Sequence, residues 1–278
     1  MSKHVIITSI DDHYGDFLVN HWLRSLKENV DLRDIDIIIL DFGLTTSQLR
    51  RLKEEKVIIV PCSQSGHIVN ARFTKTAQLL EKNHYDQVLF VDGGDIIFQN
   101  NISFLFEQDQ DIFRAAKLDL EVLFYEAFIP FNFKGDKGKK IYGFLKDKPV
   151  LNAGFILGPR DKFISLCNTM NDLITNKKAY GPDQVALNYC IHQEGVKLLD
   201  RRYNFMITTV DEGFTIKDGT FYLQNGEQIV VVHNAGHNRY LRPIINFGYG
   251  KDFNKLNFLV YHLRRSFFKL IGLIKSLR

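Results

Sequence analysis

Cysteine is scarce in this 278-residue chain: Cys62, Cys167 and Cys190 are far apart, odd in number and without metal-ligand spacing. A disulfide framework and a zinc module are thereby excluded, and the three read as reduced thiols in a reducing compartment. No run approaches the length needed to cross a membrane. Met1-Ser2-Lys3-His4-Val5-Ile6-Ile7 enters a strand too soon for a signal peptide, so the cytoplasm is the expected location. No Gly-x-Gly-x-x-Gly follows the first strand, which disfavours a dinucleotide cofactor. A Gly-x-Ser-x-Gly elbow and a coherent Ser/His/Asp order are missing too. Gly135-Asp136-Lys137-Gly138-Lys139-Lys140 lacks the glycine spacing and closing Lys-Ser/Thr pair of a phosphate loop, and is expected to be a solvated surface loop. Tryptophan occurs once against 23 Phe and 11 Tyr, and no internal repeat or low-complexity linker interrupts the chain. A basic body is also lacking. The net charge is +4, yet Lys251, Lys255, Arg264, Arg265, Lys269, Lys275 and Arg278 face Asp252 alone in the last stretch, so the rest is slightly acidic. Nucleic acid is not an expected partner.

What the chain does have is an alternation of strand and helix signals. Val5–Ser9, Ile35–Leu40, Val57–Val60 and Val88–Val91 are short apolar runs of the buried-strand type. Between them fall a helical pattern over Tyr14–Glu28, a short helix capped by Thr45 or Thr46 and running to Glu55, and a helix from Ile68 to Lys82. The implied class is α/β, with a mainly parallel central mixed sheet flanked by helices, the nucleotide-binding type of architecture. Farther on, Asp111–Lys117 and Asn152–Leu157 read as strands, Arg160–Asn176 and Pro182–Glu194 as helices, and Phe214–Val232 as hairpin-rich. Residues 120–148 show no clear periodicity. One domain over residues 1–250, followed by a tail over 251–278, is the expected organisation.

The most informative stretch is Tyr85–Phe98, where an apolar strand stops at Asp92-Gly93-Gly94-Asp95 and an apolar run resumes. Carboxylates at the carboxyl end of a buried strand lie where open α/β sheets place their ligands. Glycines between them permit a tight turn and a close approach. A hard divalent cation, Mg²⁺ or Mn²⁺, suits such a site and brings a phosphate-bearing substrate with it. The plain alternative is a hairpin turn. His233 follows the apolar run Ile229–Val232 and enters a polar loop, an arrangement suited to a metal ligand, and nearby Arg239 suits a pyrophosphate. Arg72 and Lys75, three apart on one helix face ahead of the motif strand, can reach one anion together or form an ordinary solvated face.

Taken in order, these segments resemble the GT-A glycosyltransferases, and most closely the family 8 type that uses nucleotide-diphosphate sugars. Ser9-Ile10-Asp11-Asp12-His13-Tyr14 resembles that family's nucleotide pocket, and Asp92-Gly93-Gly94-Asp95 stands where the family has Asp-x-Asp. Asn152-Ala153-Gly154 and Asp183-Gln184-Val185-Ala186-Leu187-Asn188 resemble its sugar-site segments, and His233-x-x-Gly236-x-x-Arg239 its closing His-x-x-Gly-x-x-Lys. The carboxylate spacing is longer by one residue than the family's, Arg239 replaces a lysine, and the Pro-Trp that often follows is absent.

The resemblance implies a metal-dependent, retaining transferase acting on a UDP-sugar. Thr8, Ser9, Asp11 and Tyr14 would hold the base; Asp92, Asp95 and His233 the metal; Gly236 and Arg239 the diphosphate; and Asn152, Asp183 and Gln184 the sugar, while Arg72 and Lys75 belong to the cofactor side only through their helix spacing. Each has a structural alternative: Asp11 and Asp12 can cap the following helix, Asn152 can close its own turn, and Asp183 suits the first turn of a helix after Pro182. A sugar nucleotidyltransferase and a non-catalytic nucleotide-sugar-binding module are the alternatives at the level of function. In the tail, Phe258, Leu259, Leu263, Phe267, Leu270, Ile271 and Ile274 interleave with Arg264, Arg265, Lys269, Lys275 and Arg278. That pattern is a basic amphipathic helix suited to the inner face of an anionic membrane, with a lipid-linked glycan as acceptor, as in lipopolysaccharide or capsule assembly. A helix docking its apolar face on the body is the other reading.

Overall fold

The structure is a computed structural model that describes residues 3–63, 66–118, 124–210, 212–236 and 242–276. β1 (His4–Ile10), β2 (Ile35–Asp41), β3 (Ile58–Pro61) and β4 (Gln87–Val91) lie parallel, in register from His4 opposite Ile35 and Gln87. Strands β1 and β4 are buried along their whole length, which is why their sequences run apolar without alternation. After β5 (Ile96–Phe98) come β6 (Phe113–Lys117), β7 (Leu151–Pro159) and β8 (Val196–Leu198), which complete a seven-stranded sheet in the order β3-β2-β1-β4-β7-β6-β8. Strand β7 is antiparallel to both neighbours, so the sheet is mixed and mainly parallel.

Successive residues of β1 face opposite sides of the sheet. Val5 and Ile7 join a core with Phe73, Leu80, Phe163 and Ile191, whereas Ile6 and Ile10 join one with Leu18, Trp22 and Leu26. The second core is supplied by α1 (Asp12–Phe17) and α2 (Arg24–Asn29), joined through a π-helical segment, Leu18–Leu23, that buries Leu18, Trp22 and Leu23. The expected single helix is therefore locally widened in its middle. α3 (Thr46–Lys53) opens on a capping box: Thr45 Oγ1 accepts from the Gln48 N–H and Gln48 Oε1 from the Thr45 N–H. α4 (Ile68–Lys82) has the bounds read from its periodicity.

Residues 124–145 depart from expectation. They form α5 (Phe124–Asn132) and α6 (Gly135–Leu145), so the segment read as a solvated loop at 135–140 is the first half of a helix. Its buried stripe is Gly138, Ile141 and Leu145, and lysines on the other faces mask that spacing in the sequence. A Cβ at Gly138 would stand 2.0 Å from the Phe133 carbonyl oxygen, so this glycine serves close packing. α7 (Arg160–Leu173) and α8 (Pro182–Glu194) complete the layer over the first core.

A smaller sheet lies beyond the strand ends. β9 (Phe205–Met206), the hairpin of β10 (Phe214–Lys217) and β11 (Thr220–Leu223), and β12 (Val231–His233) surround a third core containing Ile97, Phe205, Phe221 and Val232. The hairpin turns through Asp218 and Gly219, both at positive φ (49° and 77°), the two-residue turn favoured by strand twist. β13 (Ile244–Ile245) pairs with β14 (Lys255–Leu256), after which α9 (Phe258–Ser276) begins. The described side chains of α9 differ in burial. Tyr261 is buried with its ring edge-on to Phe214 at 5.4 Å, whereas Leu259, Leu263, Phe267 and Leu270 are 57–70% exposed. No helix among the described residues is long and apolar enough to cross a membrane.

Candidate active site

Strand β4 ends at Val91, and Asp92-Gly93-Gly94-Asp95 carries the chain from the large sheet into the small one. Strands β4 and β5 do not pair with each other: β4 pairs with β1 and β7, and β5 with β12. The hairpin alternative for this motif is thus overturned. Both glycines are needed where they stand. A Cβ on Gly93 would lie 2.6 Å from Thr8 Oγ1, and one on Gly94 2.8 Å from the Tyr14 ring. The carboxylate loop, the end of β1 and Tyr14 are therefore packed against one another.

Pairing of β12 with β5 sets His233 opposite Ile96, next to Asp95, and Asn234 N–H donates to the Asp95 carbonyl at 2.8 Å. His233 Nε2 lies 3.2 Å from Asp95 Oδ1 and 3.7 Å from Asp92 Oδ2. One ligand atom from each of the three side chains falls within 4.8 Å of the others, a spacing that can hold one divalent cation. His233 is 1% exposed, and its Nε2 is buried with no hydrogen-bond partner. Such an orphaned atom facing two carboxylates is the donor set a cation would complete. Gly154 of β7 closes the wall, since a Cβ there would lie 2.5 Å from both Asp92 Oδ2 and His233 Cε1.

Two arginines border the cluster. Arg72, from α4, is buried over the Phe73 and Phe90 rings; it pairs with Asp92 and reaches Asp183 Oδ2 at 3.4 Å. Lys75 stands half-buried near Cys62 instead, so the two basic residues do not converge on the same carboxylates. Arg242 donates to Asp95 Oδ2 at 3.1 Å and to the Gly236 carbonyl at 3.0 and 2.8 Å. Burial opposes ionisation of Asp95, but His233 and Arg242 outweigh it and hold this carboxyl below its usual value. Asp183 goes the other way. Burial at the start of α8 pushes it up to about 6 in spite of Arg72.

The remaining candidates divide by what their polar atoms already do. Asp11 precedes α1 but makes no side-chain cap, and its Oδ1 is buried without a partner, so the capping alternative is not realised there. Thr8 Oγ1 is likewise buried and unpartnered, and Ser9 is buried beside it. Asn152 Oδ1 accepts from the Gly154 N–H at 2.9 Å, which is the self-closing turn considered for it, and from Asn204 Nδ2 at 3.1 Å. Gln184 spends its amide on β7, where Oε1 accepts from the Ala153 N–H at 3.0 Å and Nε2 donates to the Leu151 carbonyl. Arg239 lies outside the described residues. Asn204 and Arg242, both in contact with the cluster, escaped the reading of the sequence. Each is a single residue in an irregular stretch, and only strand pairing brings it to the site.

Neither family models nor curated proteins yield a match to the chain. Solved structures do. The chain is similar to the galactosyltransferase LgtC in complex with donor and acceptor sugar analogues, at TM-score 0.59 and 18% identity over 94% of this chain and 95% of that one. It is similar to the glycosyltransferase GlyE of Streptococcus pneumoniae TIGR4, at TM-score 0.56 and 18% identity over 98% and 62%. The bifunctional glycosyltransferase WbbM follows at TM-score 0.55 and 17% identity over 86% and 47%. At these identities the likeness establishes the fold, an α/β nucleotide-binding fold of the GT-A type with a central mixed sheet flanked by helices.

Proposed function

We propose that the chain is a metal-dependent glycosyltransferase that moves a sugar from a UDP-sugar to a glycan or glycolipid acceptor with retention of configuration. The observation that carries this reading is the meeting of Asp92, Asp95 and His233 at the carboxyl edge of a GT-A sheet, with Arg72 linking the cluster to Asp183. Bound there, Mn²⁺ or Mg²⁺ would neutralise the diphosphate as it departs. Asp11, with an unpartnered buried oxygen, accepts from the uracil N–H, and Tyr14 packs on the base. Asn152 has its oxygen committed to Gly154 and Asn204, leaving its NH₂ to meet a sugar hydroxyl. Gln184 acts by holding the Asn152–Gly154 strand in place, since both ends of its amide bond β7. Asp183, kept next to Arg72, orients the sugar and faces the positive charge that develops on it. Arg239, with Gly236, is proposed for the diphosphate on the strength of the sequence resemblance alone.

The acceptor reading follows from α9, whose outward apolar stripe runs beside the exposed Lys269 and suits an anionic lipid surface, so that the acceptor would be lipid-linked, as in lipopolysaccharide or capsule assembly. Pure protein offered a panel of nucleotide-sugars tests the reading. Slow hydrolysis of a UDP-sugar that requires a divalent cation is expected. Full activity in chelator overturns it, binding without turnover indicates a non-catalytic module, and diphosphate release from a nucleoside triphosphate plus a sugar phosphate indicates a nucleotidyltransferase.

A further inference from the structure

His233 has two ring nitrogens, and the structure decides which of them carries the hydrogen. The chain of bonds starts from a backbone donor. Gly154 N–H donates to Asn152 Oδ1 at 2.9 Å, so that oxygen is the accepting end of the Asn152 amide. Asn204 turns its Nδ2 to the same oxygen at 3.1 Å, and its own carbonyl oxygen therefore points the other way, to His233 Nδ1 at 3.0 Å. An amide oxygen can only accept, so in the neutral ring, the form that ligates a metal, Nδ1 carries the hydrogen and Nε2 the lone pair. That lone pair is buried, unpartnered and turned toward Asp95 Oδ1 and Asp92 Oδ2. A lone pair held against two carboxylates is unfavourable unless a cation sits among the three. The Asn204–His233 end of the chain is shielded from water, with each residue 1% exposed, and Asn152 is half-buried. Placement of Asn204 is local: it precedes β9, which runs parallel to β12 with Met206 opposite His233.

We propose that Asn204 is a positioning residue that holds His233 in the Nδ1–H tautomer and so keeps Nε2 as a divalent-cation ligand, while its NH₂ ties that ligand to Asn152. The inference rests on the metal reading given above but adds to it a residue that touches neither metal nor substrate. It also accounts for why the sugar-side loop of β7 and the metal-side histidine of β12, which lie in different sheets, hold one geometry. Partners of this kind fix the ring orientation and basicity of metal-bound histidines, and their loss weakens metal binding about 10–100-fold.

Two substitutions separate this role from that of a buried filler. Asn204→Ala removes both bonds. Asn204→Asp keeps an acceptor for the Nδ1–H and removes the donor to Asn152. Full-length wild type and both variants are titrated with Mn²⁺ by calorimetry, with and without UDP, after thermal melts confirm cooperative folding. Wild type is expected to bind Mn²⁺, Asn204→Ala to bind it roughly 10–100-fold more weakly, and Asn204→Asp to bind near the wild-type level while raising the KM for donor. In metal-free wild type, ¹⁵N shifts of the His233 ring are expected to show Nδ1 protonated. An Nε2–H tautomer, or Mn²⁺ affinity unchanged in Asn204→Ala, overturns the role of Asn204 and leaves the metal reading standing. Wild type that binds no Mn²⁺ in either condition overturns both. Should Asn204→Ala fail to fold, the tautomer measurement and Asn204→Asp decide the matter.

Discussion

The edge of the large sheet and the helix α9 break the same rule in opposite directions. At the sheet edge, carboxylates, an imidazole and two guanidiniums are withdrawn from water; on α9, leucines and a phenylalanine are offered to it. Neither arrangement is what folding alone selects, because burial of charge and exposure of apolar area both cost stability. At the edge, each charge is offset by a partner within the chain, as Asp92 by Arg72 and Asp95 by Arg242. On α9, Leu259, Leu263 and Leu270 are turned to solvent, and we propose a lipid surface as their counterpart. The two regions should therefore respond differently to mutation. Changes at the edge are expected to alter turnover and its dependence on pH and metal, and changes in α9 to alter membrane attachment and, through Tyr261, stability, with little effect on turnover.

The largest expected effect is at the edge. Asp95→Ala removes one proposed cation ligand, the carboxylate nearest to His233 Nε2 and the ion-pair partner of Arg242. Donor hydrolysis should fall by at least about 10²-fold, the scale of losing one preorganised electrostatic group. Steady-state rates at saturating Mn²⁺, read beside a cooperative melt, check this. Retention of metal-dependent activity would remove the edge from the comparison altogether.

Asp183→Asn should sharpen the comparison by separating stability from activity. The Asp183 carboxyl is raised by burial from its ordinary 3.8 to about 6. Between these values the folded chain holds a proton that the unfolded chain has released, so this group lowers stability progressively as pH rises from about 4 to 6. Replacement by the neutral amide should leave stability nearly unchanged at pH 4 and raise it by about 3 kcal/mol at pH 7, while turnover falls. Urea denaturation of both proteins across that pH range supplies the measurement. A variant less stable than wild type at pH 7 would show that pairing with Arg72 outweighs the burial of the charge.

The contrast also explains how much of the molecule could be read without its structure. Strands β1, β2 and β4 were legible because burial on both faces leaves mostly apolar runs, interrupted at Asp36 in β2 and at Thr8-Ser9 in β1, and α4 because its stripe has the helical period. Asp92, Asp95 and His233 were legible because each adjoins an apolar strand, Asp92 after β4, Asp95 before β5 and His233 at the end of β12, so one run of letters delivers chemistry to an edge. Helices α5 and α6 were hidden, since aromatic residues around Pro130 and lysines around Gly138 obscure a stripe only a few residues long. Asn204 and Arg242 were hidden for a different reason. Nothing in their neighbours marks them, and the contact with His233 or Asp95 arises from pairing among strands of two or three residues. Gln184 shows the converse: its place in a sugar-site motif was legible, but not that both ends of its amide are taken up by β7.

A smaller effect is expected where the edge receives the base. Asp11 keeps a buried oxygen unpartnered, and its carboxylate suits an imide N–H. Asp11→Ala should weaken UDP binding by about 1.5–3 kcal/mol, the value of a hydrogen bond to a charged group. Binding of the cytidine and adenosine diphosphates should change little, because the lost bond was never theirs. Calorimetry with the four nucleoside diphosphates measures this, and equal affinities in wild type would remove the base pocket from residues 8–14.

The smallest catalytic effect, and the sharpest break between the two regions, belongs to α9. Ending the chain after Asn257 removes the exposed Leu259, Leu263, Phe267 and Leu270 together with Tyr261, whose ring is the buried contact with Phe214. Loss of that one aromatic contact should lower stability by about 2 kcal/mol, a shift of a few degrees in the melt. Donor hydrolysis should remain close to that of the full chain, because the buried contact of α9, Tyr261, packs on Phe214 beside the third core and not on the carboxylate cluster. Attachment to vesicles containing anionic lipid should be lost. In the full chain that attachment should have two parts, a salt-sensitive one at about 1 kcal/mol for each basic residue at the surface and a salt-resistant one from insertion of the apolar stripe. Co-sedimentation at low and high salt separates the parts. If the stripe instead served to seal the domain, truncation would cause aggregation and a large fall in melting temperature, and the full chain would ignore the vesicles. The orientation of α9 argues for attachment, since the side chains that a seal would bury are the ones turned away from the body.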